Sequence, residues 1–109
     1  MTHAVIFTPE ARDQLTAIYR HIALAASSAI AARYTDAIVT RCEGLRFFPA
    51  RGNRRDDIRP GLRIIGFRRR VTIAFDVTGD LVTIIGVFYG GRDYEAALQA
   101  DPDPEDGGP

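Results

Sequence analysis

Eight of the fourteen arginines fall between residues 51 and 70: Arg51, Arg54, Arg55, Arg59, Arg63 and the run Arg68, Arg69, Arg70. Guanidiniums this dense can grip the carboxylates of an acidic partner or the phosphates of a nucleic acid, because the planar fork bonds both in a bidentate way. They can also be plain solvated loop charge, and the sequence leaves both readings open. Arginine stabilises anionic charge but stays protonated, so it cannot serve as a base. Lysine is absent altogether. His21 falls off the apolar stripe of its helix and reads as a surface residue, and His3 is equally uninformative. Cys42 lies on a helical stripe and reads as a small buried hydrophobe. Met, Cys and His do not cluster, so neither a metal nor a cofactor is expected.

The zero net charge conceals a segregation. Residues 51–70 carry eight arginines and two acids, whereas residues 71–109 carry one arginine and eight acids. This predicts a basic patch and an acidic tail.

The elements that must position these arginines centre on a hairpin. Val71 to Val77 and Leu81 to Tyr89 alternate with period two and are rich in Val, Ile, Thr and Phe. Gly79-Asp80 between them suits a two-residue turn, with glycine supplying positive φ. If Thr78 faces Leu81, then Val77 faces Val82, Phe75 faces Ile84, Ile73 faces Gly86 and Val71 faces Phe88, all on one apolar face. A preceding strand, Leu62 to Phe67, pairs with Val71 onward and adds Leu62, Ile64 and Gly66 to that face. The Arg68-Arg69 link lacks Gly, Asn and Pro, so its turn is poorly specified and leaves room for a bulge.

Upstream, Ala4 to Phe7 reads as a first strand. Thr8 caps a helix with Pro9 in its first position and a stripe of Ala11, Leu15, Ile18, Ile22 and Ala25. Ser27-Ser28 begins a second helix with a stripe of Ile30, Tyr34, Ile38, Cys42 and Leu45, ending before Pro49. The two form an antiparallel α-hairpin covering the sheet. Pro49 to Gly61 is a polar loop. Asp93 caps one or two helical turns reaching Leu98.

The chain of 109 residues is expected to form one domain over residues 1–98, followed by an acidic, Pro- and Gly-rich disordered tail over 99–109. No apolar run is long enough to span a bilayer, and no signal peptide opens the chain. A single cysteine points to a reducing, cytoplasmic setting. The fold class is α+β: a strand, an α-hairpin, then a three-stranded antiparallel meander with the helices on one face.

With those residues placed, the chain resembles the RelE/ParE superfamily of toxins, in its ParE branch. The likeness is carried by Phe7-Thr8-Pro9-Glu10-Ala11 with Asp13, Leu15 and Ile18. It continues in Pro49, Gly52, Arg54, Arg55 and Ile58 to Arg63, and in Ile84 to Asp93, ending Tyr89-Gly90-Gly91-Arg92-Asp93. The resemblance implies a plasmid-stabilising or growth-arresting toxin of a type II toxin–antitoxin module. It would poison DNA gyrase and be neutralised by a ParD-like antitoxin, as a homodimer or a toxin–antitoxin heterotetramer. The expected binding residues are Arg51, Arg54, Arg55, Arg59, Arg63, Arg68, Arg69, Arg70 and Arg92.

RelE members cut mRNA on the ribosome, and that is the alternative the resemblance offers. The residues to consider are Arg63, Arg70, Arg92, Tyr89 and Tyr94, with Arg70, Arg92 and Tyr94 as the catalytic set. That set lacks a lysine and a histidine in its region, and an unperturbed phenol titrates near pH ~10. The expectation is therefore a toxin that acts by binding and is no enzyme. A small non-toxic binding module is the third possibility.

Overall fold

A computed structural model describes residues 3–91 and 93–99. Arg92 and the tail from residue 100 onward lie outside them, and so do the expectations placed there.

Local chemistry sets the helix boundaries. Strand β1 (Ala4–Phe7) runs into Thr8, whose hydroxyl accepts from the Ala11 N–H at 3.1 Å and opens helix α1 (Pro9–Ala25). Proline at the first position loses nothing, since its N–H would have no helical partner. The same hydroxyl donates to the Ile85 carbonyl at 3.1 Å, fastening the helix start to the sheet. Two residues on from α1, Ser27 accepts from the Ile30 N–H at 3.1 Å and opens helix α2 (Ser28–Glu43). A single 3₁₀ turn, Gly44–Arg46, closes it. Two positions on the expected stripes fail: Ala25 is exposed and Ile30 half-exposed, while Ala31 takes the inward place.

The sheet holds the expected first strand and three-stranded meander plus one short strand, five in the order β1-β5-β4-β3-β2, and it is mixed, not purely antiparallel. Strands β2 (Asn53–Arg54), β3 (Arg63–Phe67), β4 (Val71–Thr78) and β5 (Leu81–Tyr89) are antiparallel, but β1 pairs with β5 in parallel. Period-two patterning reports faces, not neighbours, so it could not say where β1 docks.

The β4–β5 hairpin keeps the expected register from Thr78↔Leu81 to Phe75↔Ile84, around Gly79 at φ +59. A bulge then shifts it. Ala74 pairs with Gly86, so Ile85 is the extra residue, Ile73 faces Val87 rather than Gly86, and Val71 faces Tyr89 rather than Phe88. The shift by one residue sends Val87 and Tyr89 to the helical side and Phe88 to the other. The β3 expectation inverts for a similar reason. Phe67 pairs with Val71 and Ile65 with Ile73, so Ile65 and Phe67 face the helices. Leu62 and Ile64 lie on the opposite face, and Gly66 is exposed.

Two apolar layers result. The larger joins Ala11, Ile18, Ile38, Cys42 and Leu45 to Ile73, Phe75, Val82 and Ile84. The smaller lies on the other face, where helix α3 (Tyr94–Gln99) sets Leu98 against Leu62, Ala74 and Phe88. Helices therefore cover both faces, not one. Asp93 caps α3 as expected, its carboxylate accepting from the Ala96 N–H at 3.1 Å.

Candidate functional site

The structure sorts the arginines into two kinds. The first kind is tied down inside the loop that carries β2. Gly52 sits at φ +75 and so close to β3 that a Cβ there would run into the Ile64 carbonyl and the Ile65 side chain, and the pairing of β2 with β3 holds the loop in that position. Arg54 then meets Asp56 in a two-point bond at 3.1 and 3.2 Å. The Gly61 N–H and Arg54 together hold the Asp56 carboxyl below the usual carboxylate range. Arg55 grips Asp57 at 3.0 and 2.9 Å, Glu95 at 2.8 Å and the Tyr94 hydroxyl at 3.1 Å. Bonding to Asp57 and then Glu95 raises its own pKa further, and Arg55 in turn depresses Asp57. Arg59 donates to the Leu98 carbonyl at 2.8 Å, near the end of α3. Three residues expected to bind a partner are thus occupied in fixing the loop and α3.

The second kind has no carboxylate partner among the described residues. Arg51 lies over the Phe48 ring at 5.5 Å, and Arg63 donates to the Arg51 carbonyl at 3.3 Å. Arg68, Arg69 and Arg70 are exposed on the β3–β4 turn, where Arg68 and Arg69 take φ values of +50 and +63. The Arg70 N–H closes that turn on the Phe67 carbonyl at 3.2 Å, and the Gly90 N–H holds the Arg70 carbonyl at 2.8 Å. The Arg68 guanidinium lies over Phe67 at 4.9 Å and over Tyr34 at 5.9 Å.

Behind this turn stands an aromatic cluster that the sequence did not disclose. Tyr34 meets Phe67 at 6.2 Å and Tyr89 at 6.0 Å, both edge to face, and His21 stands 5.5 Å from Tyr89. His21 is exposed, as expected, yet it belongs to the neighbourhood of the turn, which was expected to contain no histidine. The Tyr34 hydroxyl is buried with no hydrogen-bond partner among the described residues. Burial and Tyr89 push its pKa up, while the charges of Arg68 and Arg70 pull it down. The i, i+3 and i, i+4 logic of α1 and α2 locates the faces of His21 and Tyr34, but only the bulged register brings Tyr89 between them.

Of the three nuclease candidates, Tyr94 and Arg70 have different neighbours. The Tyr94 phenol accepts from Arg55 and its ring stands 6.2 Å from Phe88, while the charge of Arg70 is felt at Tyr34. Arg92 lies outside the described residues. Burial pushes the Cys42 thiol up to about 12, so it is no nucleophile. No group of three or more His, Cys, Asp or Glu suited to a metal occurs among the described residues.

One further surface adjoins the turn. Ile30, Tyr34, Ala37 and Thr40 line a groove of about 490 Å³ on α2, with Arg33, Asp36 and Arg68 on its walls. Ile6, Leu24, Phe47 and Phe48 are the other large apolar side chains left open among the described residues. No helix among the described residues is long and apolar enough to cross a membrane.

No curated protein matches the sequence. Among solved structures, a chain described as "Chromosomal ParDE TA system from P. aeruginosa" superposes with a TM-score of 0.72 at 23% identity. The match covers 82% of this chain and 97% of that one, and it shows the fold. A family model described as "ParE toxin of type II toxin-antitoxin system, parDE" matches residues 5–94, nearly the whole described span. The strand, helical hairpin and hairpin-closed sheet therefore have their place: the chain belongs to the ParE toxin family of type II toxin–antitoxin systems.

Proposed function

We propose that this ParE-family toxin acts by binding, with DNA gyrase as its target and a ParD-like antitoxin as its inhibitor. It works in the cytoplasm, where its target is, and arrests growth when the antitoxin is lost. The observation that carries the non-catalytic reading is the Arg55–Tyr94 bond at 3.1 Å. It commits the one phenol of the candidate set to a cation that never titrates. The family match and the fold shared with a ParDE structure support a ParD-like partner.

The α2 groove is where that antitoxin fits best. Its apolar floor suits a stripe of hydrophobic residues on an amphipathic helix, and Arg33 and Arg68, which outnumber the single Asp36, suit acidic flanks. Arg54 and Arg55 suit them poorly, because their own carboxylates already hold them. Toxin and antitoxin then associate as a heterotetramer, with a toxin homodimer as the simpler assembly.

The experiment is a pair of assays on purified toxin. Inhibition of gyrase supercoiling with accumulation of cleaved DNA, and no cutting of ribosome-bound message, is the expected outcome. Cleavage of mRNA in the ribosomal A site that Tyr94→Phe or Arg92→Ala abolishes would overturn the proposal. Tight antitoxin binding with neither activity would make the chain a binding module.

A further inference from the structure

We propose that the β3–β4 turn is a nucleic-acid contact: Arg68, Arg69 and Arg70 form a preorganised tip that binds the phosphate backbone of duplex DNA. This goes beyond gyrase poisoning and does not depend on it, since the contact is to DNA alone. Three features of the turn carry it together.

The first is that these cations have no carboxylate partner among the described residues, whereas Arg54 and Arg55 each hold a carboxylate two residues away. The second is that they are held in place. The turn is closed at the Phe67 carbonyl and braced to β5 at Gly90, and Arg68 is laid over two rings. Presenting charge from a fixed frame avoids much of the ordering cost of binding. The third is the backbone. Two consecutive arginines sit in the left-handed region, where Asn-Gly would be comfortable. Strain that an easy substitution would relieve points to a role for the side chains.

A phosphate backbone suits this tip better than an acidic peptide does. Peptides are taken up in grooves or along open strand edges. Arg69 and Arg70 stand on an exposed turn and do not line the α2 groove, which Arg68 alone of the three reaches. Duplex DNA, by contrast, offers a dense row of anions to which three adjacent planar guanidiniums can bond without any apolar contact.

The test is fluorescence anisotropy of a labelled 20-base-pair duplex of random sequence with the full-length toxin, at several salt concentrations and without gyrase. Three phosphate contacts predict that the logarithm of affinity falls with the logarithm of salt at a slope of about −2.7, roughly −0.9 per contact. Arg69→Gln and Arg70→Gln should each flatten the slope by about 1 and weaken binding roughly tenfold at 50 mM salt. Arg54→Gln, whose cation is already neutralised, should leave both unchanged. Arg69→Gly separates binding from folding: it should melt above the parent yet bind DNA as weakly as Arg69→Gln. A slope indifferent to Arg69 and Arg70, or equal losses in Arg54→Gln, would overturn the proposal. So would tighter binding of a poly-glutamate peptide than of the duplex at the same salt, which would make the tip a surface for acidic protein segments. Gyrase inhibition is scored separately, so failure of one reading leaves the other standing.

Discussion

Replacing Arg69 by glycine should make this protein more stable, and replacing Arg68 should not. Arg68 and Arg69 occupy φ values of +50 and +63, a region that costs an L-residue with a Cβ about 1–2 kcal/mol. Glycine removes that cost but enlarges the unfolded ensemble, which returns about 0.4–1 kcal/mol. The balance for Arg69 is a gain of about 0.5–1 kcal/mol. Arg68 has the same backbone term, but its guanidinium lies over Phe67 at 4.9 Å and Tyr34 at 5.9 Å. Those contacts are worth about 0.5–1 kcal/mol in total at an exposed site, so Arg68→Gly should come out near zero. For a domain of this size the Arg69→Gly gain corresponds to a rise in Tm of about 3–6 °C. Differential scanning calorimetry of the parent and both variants reads it directly. A lower Tm for Arg69→Gly, or a larger gain for Arg68→Gly than for Arg69→Gly, would show that the turn is not strained in the way its backbone angles indicate.

Other parts of the molecule make similarly direct statements. Phe75 is wholly buried under the helical hairpin, so Phe75→Ala should cost about 3–5 kcal/mol, while Asp76→Ala on the other face should cost under ~1 kcal/mol; urea midpoints distinguish them. Burial lifts the Cys42 thiol from 9.0 to about 12, so the unfolded chain releases that proton first. Stability should then fall as pH rises from about 9 to 12, by about 1.4 kcal/mol per pH unit, and Cys42→Ala should remove that component of the slope. The buried Tyr34 hydroxyl has no partner among the described residues, so Tyr34→Phe should keep the fold and raise stability by up to ~1 kcal/mol in thermal melts.

Much of the framework was legible in the sequence, because caps and periodicity are local. Thr8, Ser27 and Asp93 each accept the N–H that their positions predict. Gly79-Asp80 fixes the near half of the hairpin register. What escaped depends on one-residue events. A bulge at Ile85 turns Val87 and Tyr89 over to the helices, and a three-residue link at Arg68 to Arg70 turns β3 over. Gly86 inside an otherwise β-branched strand was the available signal for the first. Nothing local announces the second, since arginine has no preference for positive φ. Because both slips fall on the residues nearest Tyr34 and His21, the site was less legible than the fold around it.

The arginines show how far counting charge can mislead. Residues 51–70 look like one basic patch in sequence, yet a simpler local rule divides them. Arg54 and Arg55 each have an aspartate two positions on, and in a tight turn that spacing closes a two-point ion pair. Arg68 to Arg70 have no acid within five residues on either side. The first group gives its charge to holding the loop and α3 over the sheet, where Leu98 seals Leu62 and Phe88. The second keeps its charge, on a backbone that glycine would fit better. On the proposals above, partner contact belongs to the turn and the α2 groove beside it. The loop that carries Arg54, Arg55 and Arg59 serves to build the domain that presents the turn.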